Sequence, residues 1–259
     1  MSFALLFSGQ GTQHPAMLPW LADDALVHGM CVRLGVADWR RALADPLWAE
    51  RNDNAQTLLT GLALAAWAQL APMVPPPAAV AGYSVGELAA FSAAGVIDAG
   101  AAAALAPLRA GAMDRCAARA PGGLLAVSGL PGQKLEQLRI GAGLELAIRN
   151  GSASVVLGGP IAALDDAERI ALAAGAQCTR LRVSVASHTP WMREAAVSFS
   201  LALAQVPFQA PRVVLFSNAG DRVRDAGSAR AALAAQIAQT VRWDECMENI
   251  MARQVRCVL

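Results

Sequence analysis

Charge is scarce in this chain, and so are several residue types that carry chemistry. Of its 259 residues only 16% are Asp, Glu, Lys or Arg, and the formal net charge is +1. No global field therefore favours nucleic acid or an anionic membrane as a partner. Lysine occurs once, as Lys134, so arginine supplies nearly all of the positive charge. Arginine is also the better residue for gripping a carboxylate. The five cysteines, Cys31, Cys116, Cys178, Cys246 and Cys257, form no CxxC pair and no cluster with histidine. An odd, scattered set points to buried thiols in a reducing cytoplasm and argues against a metal site. The start, MSFALLFSGQGTQ, lacks a basic region and has only a short apolar run, so it reads as a strand and not a signal peptide. Residues 54–86 lack charge altogether. Even so, Gln56, Gln69 and the cluster Pro72, Pro75, Pro76, Pro77 interrupt that run short of the roughly 20 residues a membrane span needs. A buried helix over 55–71 is expected instead.

What is present is apolar: 55% of the residues are hydrophobic, ample for a sizeable core. The length suits one large domain or a domain carrying a smaller inserted one. FALLFSG (3–9) reads as a buried strand running into a GQGTQ loop, followed by a mixed helical region. Leu58, Leu62, Ala66 and Leu70 share a helix face at i, i+4 spacing, and the prolines end that helix. Residues 78–82 form the next buried strand, and a corner at Ser84 opens a helix over 85–94. Asp98 is the expected N-cap of a helix running to about Ala118.

Pro121-Gly122-Gly123 marks a change. Beyond it the pattern predicts strand 124–129, helix 132–139, strands 144–150 and 153–158, helix 161–174 and strand 178–184. Asn150-Gly151 is a tight-turn signal between the two middle strands. This β-α-β-β-α-β order is the ferredoxin-like pattern. It predicts a small inserted subdomain at 123–185 within a larger body of 1–122 and 186–259. A helix after His188, strand 212–217, helices near 228–239 and 243–253, and strand 255–259 complete the body. A domain seldom ends inside a buried-looking strand, so a truncated chain is expected.

VAGYSVGELAAF (80–91) carries the chemistry. A serine between two glycines at a strand-to-helix corner exposes its hydroxyl to attack an ester. It is also an ordinary way to turn a tight corner. Such a serine needs a base and donors for an oxyanion. Of three histidines, His14 lies beside the GQGTQ loop and His28 in a helical stretch. His188 ends a strand, in VSVASHTPWM, where the small subdomain returns to the large one, and is the favoured base. No third acid is evident: Asp165, Asp166 and Glu168 fall on a predicted helix as a solvated face. A Ser84–His188 dyad is therefore expected, with the second ring nitrogen held by a backbone carbonyl or an amide. The Val85 N–H, at a helix N-terminus, is the first oxyanion donor, and Gln10 could bring a second.

Taken together, FSGQGTQ, GYSVGELAAF, the arginine in LAPLRAGAMD, NGSASVVLGG, VSVASHTPWM, FSNAGD and TVRWDECMENI resemble the malonyl-CoA:acyl-carrier-protein transacylase family in order and spacing. That family includes the acyltransferase domains of polyketide and fatty-acid synthases. The resemblance implies an α/β fold, with an α/β-hydrolase-like larger subdomain and an inserted ferredoxin-like (βαββαβ) smaller one. It implies that Ser84 is acylated, that His188 is its base and later its acid, and that Gln10 and the Val85 amide form the oxyanion hole. Arg109 matches the arginine that pairs with the free carboxylate of malonyl, through two parallel N–H···O bonds. A backbone carbonyl near the VRW segment, that of Arg242, is expected on the histidine, and Asn150 is a further candidate site residue. Malonyl-CoA is the implied donor, with no bound cofactor or metal. The implied acceptor is an acyl carrier protein with a phosphopantetheine or dephospho-CoA-type prosthetic group. Nucleic acid and membrane are not expected partners.

Three departures matter. Tyr83 stands where the family's GHS has histidine, and the chain stops before the family's E-x-G-P-G segment. The GYSVGE elbow and compact length are most like the transacylase (epsilon) subunit of malonate decarboxylase. The other readings are a housekeeping transacylase of fatty-acid or polyketide synthesis, a serine hydrolase or thioesterase, and a non-catalytic carrier-docking subunit.

Overall fold

The computed structural model describes residues 2–11, 13–218 and 222–259. Among them the strands are β1 (Phe3–Phe7), β2 (Ala79–Gly82), β3 (Gly122–Ser128), β4 (Glu145–Gly151), β5 (Ser154–Pro160), β6 (Gln177–Arg180), β7 (Leu215–Phe216), β8 (Arg222–Val223), β9 (Val241–Arg242) and β10 (Cys257–Val258). They form two mixed sheets, ordered β10-β1-β2-β7-β8 and β6-β3-β5-β4-β9. In the first, β10, β1, β2 and β7 run parallel and only β8 is antiparallel. In the second, β3 pairs antiparallel with β5 and β6, β4 pairs antiparallel with β5, and β9 joins β4 in parallel. The result is an α/β fold.

The helices before the elbow are α1 (Ala25–Leu34), α2 (Trp39–Ala42), α3 (Pro46–Glu50) and α4 (Asn52–Leu70). After it come α5 (Gly86–Ala93), α6 (Ala99–Arg119), α7 (Gly132–Gly141), α8 (Ile161–Ala173), α9 (Arg193–Leu203), α10 (Ala226–Ala235) and α11 (Trp243–Met251). The uncharged stretch 54–86 resolves into α4, β2 and the elbow. Helix α4 is buried along most of its length, so its apolar character is spent on protein contacts. No helix among the described residues is long and apolar enough to cross a membrane. Asp98 caps α6 as expected, its carboxylate accepting from Ala101 N at 2.7 Å.

The largest core cluster joins β1 and β2 to α5, α6, α9 and α10. A second lies between the face of β3 and β5 and helices α7 and α8. Boundaries differ from the sequence reading where backbone pairing stops early. The strand expected over 212–217 is only Leu215–Phe216, because only those residues find ladder partners in β2 and β8. The strand expected over 178–184 ends at Arg180, its ladder with β3 closing on one further bond from Leu181 N to Leu124 O at 3.0 Å. The helix expected near 228–239 is Ala226–Ala235, begun by a capping box of Asp225 and Ser228.

Candidate active site

Three loops leave the carboxyl ends of parallel strands β1, β2 and β7, the edge at which open α/β sheets place ligands. The middle one carries Ser84 between β2 and α5. Its φ of 55° is a left-handed conformation that a non-glycine residue adopts only under constraint. The flanking glycines are sterically required. A Cβ on Gly82 would lie 2.2 Å from the Gly86 carbonyl carbon, and one on Gly86 would lie 2.5 Å from the Phe7 carbonyl oxygen. The elbow therefore packs directly on the end of β1, and Ser84 is pushed out at its tip.

His188 sits 104 residues away in sequence, yet its Nε2 is 2.7 Å from Ser84 Oγ. Its Nδ1 lies 2.6 Å from the carbonyl oxygen of Gln236. A carbonyl only accepts, so Nδ1 carries the proton and Nε2 presents a lone pair to the serine hydroxyl. The expectation that Arg242 supplies this carbonyl is corrected here. Arg242 is held in β9, paired with Arg149 of β4, and its side chain bonds Glu245 at 3.0 Å. Gln236 instead caps the C-terminus of α10, where the last carbonyls lack helical partners and are available to other donors. Ile237 O accepts from the His188 main-chain N at 2.8 Å, fixing the residue at a φ of 62°. Burial pushes the imidazole down to about 3, with the Arg109 charge adding to the effect and the Gln236 bond opposing it. The ring is thus neutral near pH 7.

Arg109, on α6, is 1% exposed. Its Nη1 donates to Gln56 Oε1 at 2.6 Å and its Nη2 to Gln236 Oε1 at 3.2 Å, while Nε has no partner among the described residues. Burial lowers it to about 10, partly offset by the Glu87 carboxylate, so it remains charged. Ser84, His188, Arg109, Gln10 and Asn150 all line one cavity of about 250 Å3. Leu124, Ala126, Ile148 and Val156 of the second sheet form its apolar wall. The cavity therefore lies between the elbow and the second sheet. Val85 is buried as the N-cap of α5, and the Gly86 and Glu87 N–H groups that follow it donate to the carbonyls of Tyr83 and Ser84 at 3.0 Å. Asn150 accepts from the Tyr83 hydroxyl at 3.2 Å. Tyr83 also packs edge-on against Trp243, ring centroids 5.1 Å apart.

Asp165 and Glu168 bond Arg180, and Asp166 bonds Arg169, so these acids serve the flank of α8. Four site residues escaped the sequence reading. Gln56 and Gln236 orient the guanidinium, and Asn218 and Glu87 sit beneath the elbow. Gln56 and Glu87 left a signal, being polar residues inside stretches otherwise committed to the core.

A family model described as an acyl transferase domain matches residues 45–259. A malonyl CoA-acyl carrier protein transacylase of Mycobacterium bovis is 35% identical over 272 aligned residues, taking in 99% of this chain and 87% of that protein. One from Salmonella typhimurium is 32% identical, over 98% of this chain and 86% of its own length. The crystal structure of an acyl-carrier-protein S-malonyltransferase from Burkholderia pseudomallei superposes with a TM-score of 0.89 at 31% identity, covering all of this chain and 88% of that one. With the family model spanning most of the sequence and these relatives nearly all of it, this chain belongs to the acyl transferase domain family.

Proposed function

We propose that the chain moves a malonyl group from malonyl-CoA, through an ester on Ser84, to the pantetheine-type thiol of an acyl carrier protein. The observation that carries this reading is the single cavity holding a serine hydroxyl 2.7 Å from a neutral imidazole together with a buried guanidinium. His188 Nε2 takes the Ser84 proton as Oγ attacks the thioester carbonyl. The Val85 N–H and Gln10 receive the negative charge that forms on oxygen. Collapse of the intermediate breaks the C–S bond, and the departing CoA sulfur takes the proton from His188. The carrier thiol then gives its proton to His188 and takes the acyl group by the same steps in reverse order.

Arg109 selects the donor. Its unpartnered Nε–H is a buried donor suited to the distal carboxylate, which an acetyl group lacks. Pairing also cancels the positive charge that depresses His188, so a malonyl donor strengthens its own base. In this reading residues 123–185 form a ferredoxin-like subdomain inserted in an α/β-hydrolase-like body of 1–122 and 186–259. The narrower role is that of the malonate decarboxylase transacylase subunit, and Tyr83, bonded to Asn150 where the family carries histidine, favours it.

The test is transfer of labelled malonyl from malonyl-CoA to purified carrier proteins. Transfer lost in Ser84→Ala is the expected result. A carrier bearing a dephospho-CoA-type group should be the better acceptor; preference for a phosphopantetheine carrier assigns the chain to fatty-acid or polyketide synthesis. No transfer to either carrier by folded protein contradicts the reading.

A further inference from the structure

Ser84, at a φ of 55°, occupies a conformation that is strained for a residue with a side chain, so something must hold it there. Its main-chain N–H donates to Asn218 Oδ1 at 2.9 Å. The main-chain N of Asn218 donates in turn to Glu87 Oε1 at 2.7 Å. Glu87 returns to the serine from the other side, its own N–H donating to the Ser84 carbonyl at 3.0 Å. These bonds close a ring, and Glu87, 0% exposed on the first turn of α5, is the residue that closes it. Ser84 N–H only donates, so Asn218 must turn Oδ1 toward it, which fixes the amide.

We propose that Glu87 is the positioning residue of the nucleophile: directly and through Asn218 it holds both peptide groups flanking Ser84 in the strained conformation that aims the hydroxyl at His188. The inference rests on Ser84 being the nucleophile. It also removes the Ser84 N–H from the oxyanion donors, since Asn218 already engages it. A buried carboxylate needs compensation. Burial raises Glu87 to about 7, and hydrogen bonds from the Asn218 N–H and the Ser217 side chain, together with the Arg109 charge, offset this only in part.

The experiment is single-turnover acylation by malonyl-CoA, followed by intact mass, in the full chain and three variants. Asn218→Ala keeps the main-chain bond to Glu87 and removes the acceptor of the Ser84 N–H, along with a weak Nδ2 contact to Cys246 Sγ at 3.8 Å. Its maximal acylation rate should fall on the order of tenfold to a hundredfold, the effect of a nucleophile displaced by a fraction of an ångström to one. The malonyl-CoA concentration giving half that rate should stay within about twofold of wild type. Glu87→Gln retains an acceptor oxygen and should restore most of the rate lost in Glu87→Met. Should Glu87→Met fail to fold, Asn218→Ala decides alone. Wild-type acylation rates in Asn218→Ala, or a loss that falls on the half-saturating concentration instead of the maximal rate, overturn the proposal. Absence of acylation in the wild type would refute Ser84 as nucleophile, a separate failure.

Discussion

A buried guanidinium and a buried imidazole share one small cavity, and each residue predicts a different behaviour. Arg109→Ala should lower malonyl transfer about a hundredfold or more, since a desolvated charge pair is worth about 2–5 kcal/mol when one partner is removed. Acetyl transfer by the same variant should fall less than about tenfold, because acetyl carries no carboxylate to pair. The ratio of the two rates within one preparation checks this whatever fraction is folded, and equal losses remove the clamp. His188 bears on stability. Its folded value is about 3 against an unfolded value near 6.5. The unfolded chain therefore takes up this proton first as pH falls, and the stabilisation is complete above about 6.5 and lost on acidification toward 3. Glu87, raised by burial to about 7, acts with the opposite sign, but it is common to wild type and His188→Gln. Melting temperatures should thus fall less in His188→Gln than in wild type between about pH 7 and pH 5. Parallel slopes would place the imidazole in contact with water.

Among the elements, the strand-elbow-helix unit is the most constrained. Gly82→Ala sets a Cβ against the main chain of Gly86, where no side chain can swing away. Chemical denaturation should show a loss of about 3 kcal/mol or more, at the upper end of overpacking costs; a loss under about 1 kcal/mol would mean the elbow yields. This unit was legible in sequence because its signals are local: an apolar run, GYSVG, then a helix. The cap at Asp98 was legible for the same reason. Ser84 and His188 were singled out one by one, but their 2.7 Å approach comes from tertiary placement. Gln236 was missed because its importance lies in a carbonyl at a helix end, and any residue has a carbonyl. Asn218 follows a strand of two residues, too short to announce itself by alternation. The expected strands at 178–184 and 212–217 were overlong because their apolar runs extend beyond the ladders with β3, β2 and β8.

At the scale of the whole molecule, the cavity exists because two sheets are tied together around it. Strand β9 pairs with β4 of the second sheet, and Thr240 Oγ1 donates to Leu146 O at 2.6 Å. Arg149 of β4 bridges to Asp244 at 2.6 Å and to Glu245 on α11. Because Arg149 is 36% exposed, solvent screens these pairs. Arg149→Met should lower unfolding free energy by only about 1 kcal/mol. An unchanged denaturation midpoint would show that the Arg149 ion pairs add nothing to the other ties between the sheets. The Tyr83 hydroxyl bond to Asn150 of β4 adds a second tie between the elbow and the second sheet.

The most direct measurement is the intact mass of the folded chain after brief exposure to malonyl-CoA without an acceptor, followed by peptide mapping. The account predicts one malonyl unit per chain, carried as an ester on Ser84, absent in Ser84→Ala and formed far more slowly in His188→Ala. An unmodified chain, or a label that maps to any other residue, would contradict it.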